Sequence, residues 1–577
     1  MFRILLSTVC KPFGGPGEGA SVAAELFHAQ VTRAQGAFSI REVIRCWGLD
    51  YIAENISSPS VVLHYPTESE FVKELKKNDY THIGINFVLA TLHKAKRQTE
   101  LIRKHSPKAK IIYGGYGTIL PEDELKPHCD FICKEEGIGF IRKLLGENIG
   151  KPIKHPYAPI ETPSVLSYGY PTKVAHITSG LGCPNGCDFC CTSHFFKCKY
   201  LPFINSGEEL YDITLQQVKK AEQAGDKLGG FILIDEDFFL QEEKARGFLE
   251  CVRKDEREIA ITAFGSVKGL SKYTADEIAE MGFDVLWIGF ESDEAGYGKL
   301  TGKNMEVLIA ELKARGIAVL SSMIIGFQTQ DRESIERNFQ RLLSAKPTLS
   351  QILIYFAIPG TPLHKRVVEN DLFLPEYKDT KDYKNFDGFS MLFKHPHFTR
   401  EELEKIQKDL FEREYQALGP SVVRLASVLF EGYCNMKESP NSLLRQRAEE
   451  KLKKCRTLLP AIYAASVFGP NRDRRHEARQ LFDDVIEKTG KITFAQKAFC
   501  AGSLPLSLWT MFKNRVRSLN QPRFQKVEHR MNHEEILSME KINETLESMS
   551  ETLESVGEKL DSVGRSLSPK SNFTQEN

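Results

Sequence analysis

Strand-like and helix-like apolar patterns alternate twice along this chain, over residues 2–145 and again over 173–360. The first series has strand patterns "FRILLS" (2–7), "SVVLHY" (60–65), "THIGINF" (81–87), "KIIYGG" (110–115) and "DFIC" (130–133). Helical patterns such as "REVIRCWGLDYIAENI" (41–56) and "LATLHKAKRQTELIRKHS" (89–106) lie between them. Such repetition demands a parallel sheet covered on both faces, a doubly wound Rossmann-like domain that binds ligands at the carboxyl ends of its strands. The second series starts at "KVAHITSGLGC" (173–183) and continues with strand patterns at 229–237, 259–265, 284–292, 318–327 and 350–360. Helical patterns at 207–225, 242–254, 274–282, 304–316 and 331–345 separate them. Six units of parallel sense predict a partial (β/α)6 barrel of TIM type, with its chemistry at the carboxyl ends of the strands.

A chain of 577 residues is too long for one core. The expected α/β organisation is a Rossmann-like domain (1–150), a linker (151–171), the barrel (172–397), a helical C-terminal domain (398–520) and a tail (521–577). In the tail, apolar residues from Met539 to Leu567 recur three and four apart, a heptad seam suited to oligomerisation or docking. Gly557 and Gly564 weaken that helix, and the last ten residues read as disordered. The segment "FCAGSLPLSLWTMFKNRVRSL" (499–519) is apolar and then basic. It reads as a buried core helix, with a helix lying on a membrane surface as the alternative.

Lysine plus arginine equal aspartate plus glutamate at 77 each, so no net field favours nucleic acid. No run of 18 apolar residues predicts a transmembrane span. The N-terminal "MFRILLSTVCKPFGG" reads as a strand, not a signal peptide. Six of the thirteen cysteines (Cys10, Cys46, Cys251, Cys434, Cys455 and Cys500) are solitary, which points to a reducing, cytoplasmic setting and away from a disulfide framework.

Four cysteines nevertheless crowd into nine positions of "SGLGCPNGCDFCCTSHFF" (179–196), directly after the first barrel strand. Structural zinc sites present two cysteine pairs, or cysteine with histidine. Here Cys183, Cys187 and Cys190 form C-x3-C-x2-C with no second pair, and only Cys198 and His194 stand by as further ligands. Three thiolates on a 4Fe–4S cubane leave one iron open to a substrate or cofactor. Cys191 and Cys198 fall outside the triad.

With Phe189 before its third cysteine, this loop resembles the radical S-adenosylmethionine (SAM) signature, C-x3-C-x-aromatic-C, at the place where that family carries it. "ILIDEDFF" (232–239), "WIGFES" (287–292), "SSMIIGF" (321–327) and "AIPGTPLHKRV" (357–367) resemble later strand ends of the family. The resemblance implies that Cys183, Cys187 and Cys190 hold the cluster, and that Phe189, Asp235, Asp237, Glu291 and Gly326 lie around SAM. Residues 1–145 resemble the cobalamin-binding domain that precedes many such enzymes, through "WGLDYIAENI", "THIGINF", the Gly-Gly strand end and "DFICKEEGIGFIRKLL". Asn86, Gly114, Gly115, Thr118 and Gly137 are the cobalamin-contacting residues this implies. The Asp-x-His-x-x-Gly motif that supplies a histidine to cobalt in some cobalamin proteins is absent, so no protein histidine is expected on the metal.

The chemistry implied is reductive cleavage of SAM to a 5′-deoxyadenosyl radical, hydrogen abstraction from an unactivated carbon, and methyl delivery by cobalamin. The implied partners are a small-molecule or lipid substrate and a one-electron donor such as flavodoxin or ferredoxin. The alternatives are radical cyclisation, oxidation or carbon–carbon coupling without methyl transfer, and a partner-binding protein with vestigial cofactor domains.

Overall fold

The computed structural model describes residues 2–15, 18, 26–166, 172–378, 382–516 and 520–529. The heptad seam therefore lies outside the described residues.

The first sheet contains β1 (Ile4–Thr8), β2 (Ser60–His64), β3 (His82–Asn86), β4 (Lys110–Gly114) and β5 (Phe131–Ile132), all parallel, in the order β2-β1-β3-β4-β5. Both faces of its strands are apolar because helices cover both sides. Ile4, Leu6 and Val62 pack with Leu49, Ala53 and Ile141 of the helices Trp47–Glu54 and Gly137–Leu144. Leu5 and Leu63 pack on the other side with Phe71, Leu75, Ala95 and Ile102 of the helices Glu68–Lys77 and Leu92–His105. The order reverses between β1 and β3, which opens a crevice at their carboxyl ends.

The second sheet takes β6 (Ile160–Glu161) as an antiparallel edge strand on β7 (Lys173–Thr178). Between β7 and the next barrel strand, β8 (Gly180–Leu181) and β9 (Leu201–Pro202) form a short antiparallel ribbon. The barrel continues through β10 (Leu228–Ile234), β11 (Ile261–Gly265), β12 (Phe283–Glu291), β13 (Ala318–Ile325) and β14 (Leu349–Ile354). The order β7-β10-β11-β12-β13-β14 is sequential and parallel, a curled half-barrel.

Helices Arg400–Leu418, Ser421–Met436 and Ser442–Thr457 pack on the barrel, and Leu459–Phe468, Arg472–Thr489 and Phe494–Val516 form a further layer. The chain then returns to the first sheet. Gln525–His529 pairs antiparallel with β2, so part of the segment read from sequence as a tail is instead an edge strand. Its Val527 joins the apolar face formed by Ile4, Leu6 and Val62.

Candidate active site

The β8–β9 ribbon ties off residues 182–200 as a closed loop at the carboxyl end of β7. Within it Cys183 and Cys187 are buried and Cys190 is half-buried, and all thirteen cysteines of the chain are free thiols. Each triad thiol lies in electrostatic range of the other two. Burial raises all three, Cys187 to about 12, so a positive charge or a metal is needed to hold them as thiolates. Among the described residues no three His, Cys, Asp or Glu side chains meet as a single metal ion requires. A cubane presents a separate iron to each thiolate and needs no common point, so this donor set fits a cluster. Cys191 begins the short helix Cys191–Phe195, and burial pushes its thiol up to about 12. The Cys198 sulfur, in the same loop, lies 3.5 Å from where a Cβ on Gly186 would be.

Asp188, between two triad cysteines, anchors the loop. Its carboxylate accepts from Tyr297 Oη at 2.6 Å, from Tyr355 Oη at 2.8 Å and from Arg366. Burial would raise Asp188, but these donors outweigh it and hold the carboxyl below its usual range. Phe189 packs its ring against Tyr297 and Tyr355, at centroid separations of 5.6 and 5.9 Å.

The strand ends bring further groups to the loop. Asp235 accepts from Tyr200 Oη at 2.7 Å, and Lys244 in turn donates to Tyr200 at 2.8 Å and to Ser179 at 3.0 Å. Asp237 accepts from Asn185 at 3.1 Å and from the Ser266 N–H at 3.0 Å, while Asn185 also reaches the Cys183 sulfur at 3.3 Å. Asp235 and Asp237 therefore brace the cysteine loop from β10, and burial raises both carboxyls.

A bulge in the β12–β13 register at Phe290 re-aims Glu291, which sits at φ +55°, a region long side chains avoid. One Glu291 oxygen pairs with Lys299, and the other, Oε2, is buried with no partner. Lys299 Nζ also lies 5.7 Å from the Phe189 ring centroid. Burial pulls the Lys299 ammonium down, but Glu291 and the Cys187 and Cys190 sulfurs outweigh it and hold it above its usual value. Gly326 has φ +86°, and a Cβ there would meet Leu403 at 2.8 Å. Its N–H donates to Gln330, which bonds Ser292 beside Glu291.

The Rossmann-like domain faces this centre. Tyr116, after β4, packs edge-on to Phe195 at 5.3 Å, and Ile119 lies 2.9 Å from where a Cβ on Gly360 would stand. Trp47 stacks on His176 of β7 at 4.2 Å, and the Tyr51 hydroxyl accepts the Thr178 N–H at 2.9 Å. One apolar cluster runs from Phe87, Tyr113 and Leu120 into Phe327, Tyr355 and Leu363 at the barrel mouth.

Asn86 and Gly114 close β3 and β4, and Gly115 at φ +87° lets the turn pass 2.8 Å from the Asn86 amide, measured from an added Cβ. Thr118 is fully buried with its hydroxyl at 2.8 Å from Gly115 O and 2.7 Å from Cys133 O. Gly137 starts a helix and meets Ile52 at 2.6 Å from an added Cβ. Asn86, Gly114 and Gly115 thus line one carboxyl edge, whereas Thr118 and Gly137 hold backbone and helix packing. Sequence reasoning did not single out Lys299, Asn185 or Asp188 as site residues. Asn185 and Asp188 carried a local signal, their place inside the cysteine motif, and Lys299 carried none.

Residues 177–342 match the radical SAM superfamily model. These residues carry a radical SAM domain. The radical SAM domain implies a 4Fe–4S cluster and SAM, and the three thiols and the Glu291–Lys299 pair stand inside it. An uncharacterized methyltransferase of Pyrococcus horikoshii is 22% identical over 396 residues, 62% of this chain and 83% of the relative. The bacteriochlorophyllide d C-12(1)-methyltransferase of Chlorobaculum tepidum is 21% identical over 331 residues, 52% of this chain and 69% of the relative. Among solved structures, the radical SAM methyltransferase TsrM of Kitasatospora setae, with cobalamin and a 4Fe–4S cluster bound, aligns at a TM-score of 0.48 and 12% identity. That alignment covers 79% of this chain and 99% of TsrM.

Proposed function

We propose that this radical SAM enzyme is a cobalamin-dependent methyltransferase acting on an unactivated carbon of a small-molecule or lipid substrate. The observation that carries the reading is the apposition of the two carboxyl edges. The β3 and β4 ends of the Rossmann-like sheet stand over the cysteine loop through Tyr116 and Phe195. In this arrangement Cys183, Cys187 and Cys190 would hold the cluster. The buried, unpartnered Oε2 of Glu291 would accept from the amine of SAM, and Lys299 would attract its carboxylate. The cluster and cobalamin supply electron transfer and the methyl group. The protein's own contribution is orientation and exclusion of water: the rings of Phe189, Tyr297 and Tyr355 wall the site. The crevice between β1 and β3, with Asn86, Gly114 and Gly115 on its rim, is where cobalamin is expected. A flavodoxin- or ferredoxin-like donor and a cytoplasmic setting suit a chain whose cysteines are all free.

The test is anaerobic reconstitution with iron, sulfide and cobalamin. About four irons per chain are expected, with loss of the cluster in Cys187→Ala. With methyl-labelled SAM and a reductant, S-adenosylhomocysteine together with 5′-deoxyadenosine supports methylation. 5′-Deoxyadenosine alone rejects it.

A further inference from the structure

The helix Phe494–Val516 is packed inside out. Its fully buried positions are small and mostly polar: Cys500, Ser503, Ser507 and Thr510 recur three and four apart against the layer of Ala461, Ala464 and Ala465, with Leu506 and Met511 half-buried at the margin. The hydroxyls of Ser503, Ser507 and Thr510 tolerate burial because each donates to a carbonyl of its own helix, at 2.7–2.8 Å. The outward face carries Phe494, Leu508, Trp509 and Phe512, all more than half exposed, with Ala495, Ala498 and Pro505 between them. A helix on a water-facing surface has the opposite polarity. The sequence expectation of a buried core helix therefore fails on this side.

The end of that apolar face runs into a cationic cavity. Lys513, next to Phe512, helps line a space of about 660 Å³ together with Arg41, Arg45, Lys173 and Arg523, against the carboxylates of Glu42 and Glu161. Arg45 is paired with Asp50 and Lys173 with Glu161, whereas Lys513 and Arg523 have no partner among the described residues. His64, almost fully buried, also lines this cavity and leaves its Nδ1 unpartnered. From Phe494 to His529 the sequence has six Lys or Arg (497, 513, 515, 517, 523, 526) and one acid, Glu528, in a chain that is neutral overall.

We propose that this helix docks the enzyme on an anionic lipid bilayer, with Leu508, Trp509 and Phe512 in the acyl boundary and a lipid phosphate drawn to Lys513 and Arg523. The occupant is a membrane because aromatic and aliphatic side chains facing outward, ending in cations, match an interface whose apolar interior lies beneath negative headgroups. The helix lies on the bilayer; no helix among the described residues is long and apolar enough to cross it.

The test mixes the full-length, cluster-loaded chain with vesicles of phosphatidylcholine, alone or with about one-third phosphatidylglycerol, and measures co-sedimentation. Quenching of tryptophan emission by brominated acyl chains is read in parallel; Trp509 is the exposed tryptophan. The expected result is preferential, salt-sensitive binding to the anionic vesicles, with quenching. Trp509→Glu with Phe512→Glu lowers partitioning about tenfold or more, and Lys513→Gln with Arg523→Gln removes the preference for phosphatidylglycerol. Unchanged iron content and circular dichroism in both variants show that the fold survives. Wild-type chain left in the supernatant with both vesicles overturns the proposal, whether a second copy or residues 531–577 cover the face. So does a Trp509→Glu/Phe512→Glu variant that binds as well as the wild type.

Discussion

Glu236 stands between Asp235 and Asp237 at the carboxyl end of β10, where burial and then the neighbouring Asp235 push its carboxyl up to about 7. In the unfolded chain it ionises near 4.5. Between these values the native state keeps a proton that the unfolded state has lost, so this group makes stability fall as pH rises through the window. Above about pH 7 the loss is complete, and below about pH 4 it is absent. Glu236→Gln is expected to flatten that slope in the cluster-free chain. The variant should exceed the wild type in urea midpoint at pH 8 and match it at pH 4. Equal midpoints at pH 8 would show that Glu236 ionises normally.

The cysteine loop is held at both ends and in the middle. Its stem is the β8–β9 ribbon, and its centre is Asp188, which gathers donors from three separate segments at Tyr297, Tyr355 and Arg366. Three thiols can hold a cluster only if the backbone between them keeps its shape. Asp188→Ala leaves two hydroxyls and a guanidinium without their acceptor, at a cost of about 2–3 kcal/mol. The expected signs are faster iron release to a chelator and a lower thermal midpoint. Retention of iron at the wild-type rate would remove Asp188 from its anchoring role.

At the floor of the barrel, opposite the site, Asp284 at the start of β12 pairs with Lys451 and Lys454 of the helix Ser442–Thr457. Burial would raise Asp284, yet the two lysines and Arg447 hold its carboxyl far below the usual range. This cluster ties the helical domain to the barrel away from the chemistry, the face of such folds that governs stability. Asp284→Asn strands buried positive charge and should cost about 3–5 kcal/mol in urea unfolding. Iron content under native conditions should stay unchanged, since no member of the cluster reaches the cysteine loop.

Sequence periodicity was enough to place the five strands of the first sheet and the six parallel strands of the barrel, because side-chain alternation of two or 3.6 residues is a local property. The cysteine triad and Phe189 were legible because they fall within eight consecutive positions of one loop. Lys299 was not, since nothing near it in sequence reveals that β12 and the cysteine loop converge on its ammonium. The strand Gln525–His529 has only five residues, and its partner β2 lies more than four hundred positions earlier. The helix Phe494–Val516 shows the limit most plainly. Its composition says that one face is apolar and another small and polar, but only packing against Ala461 and Ala465 decided that the small face turns inward and the aromatic face meets solvent.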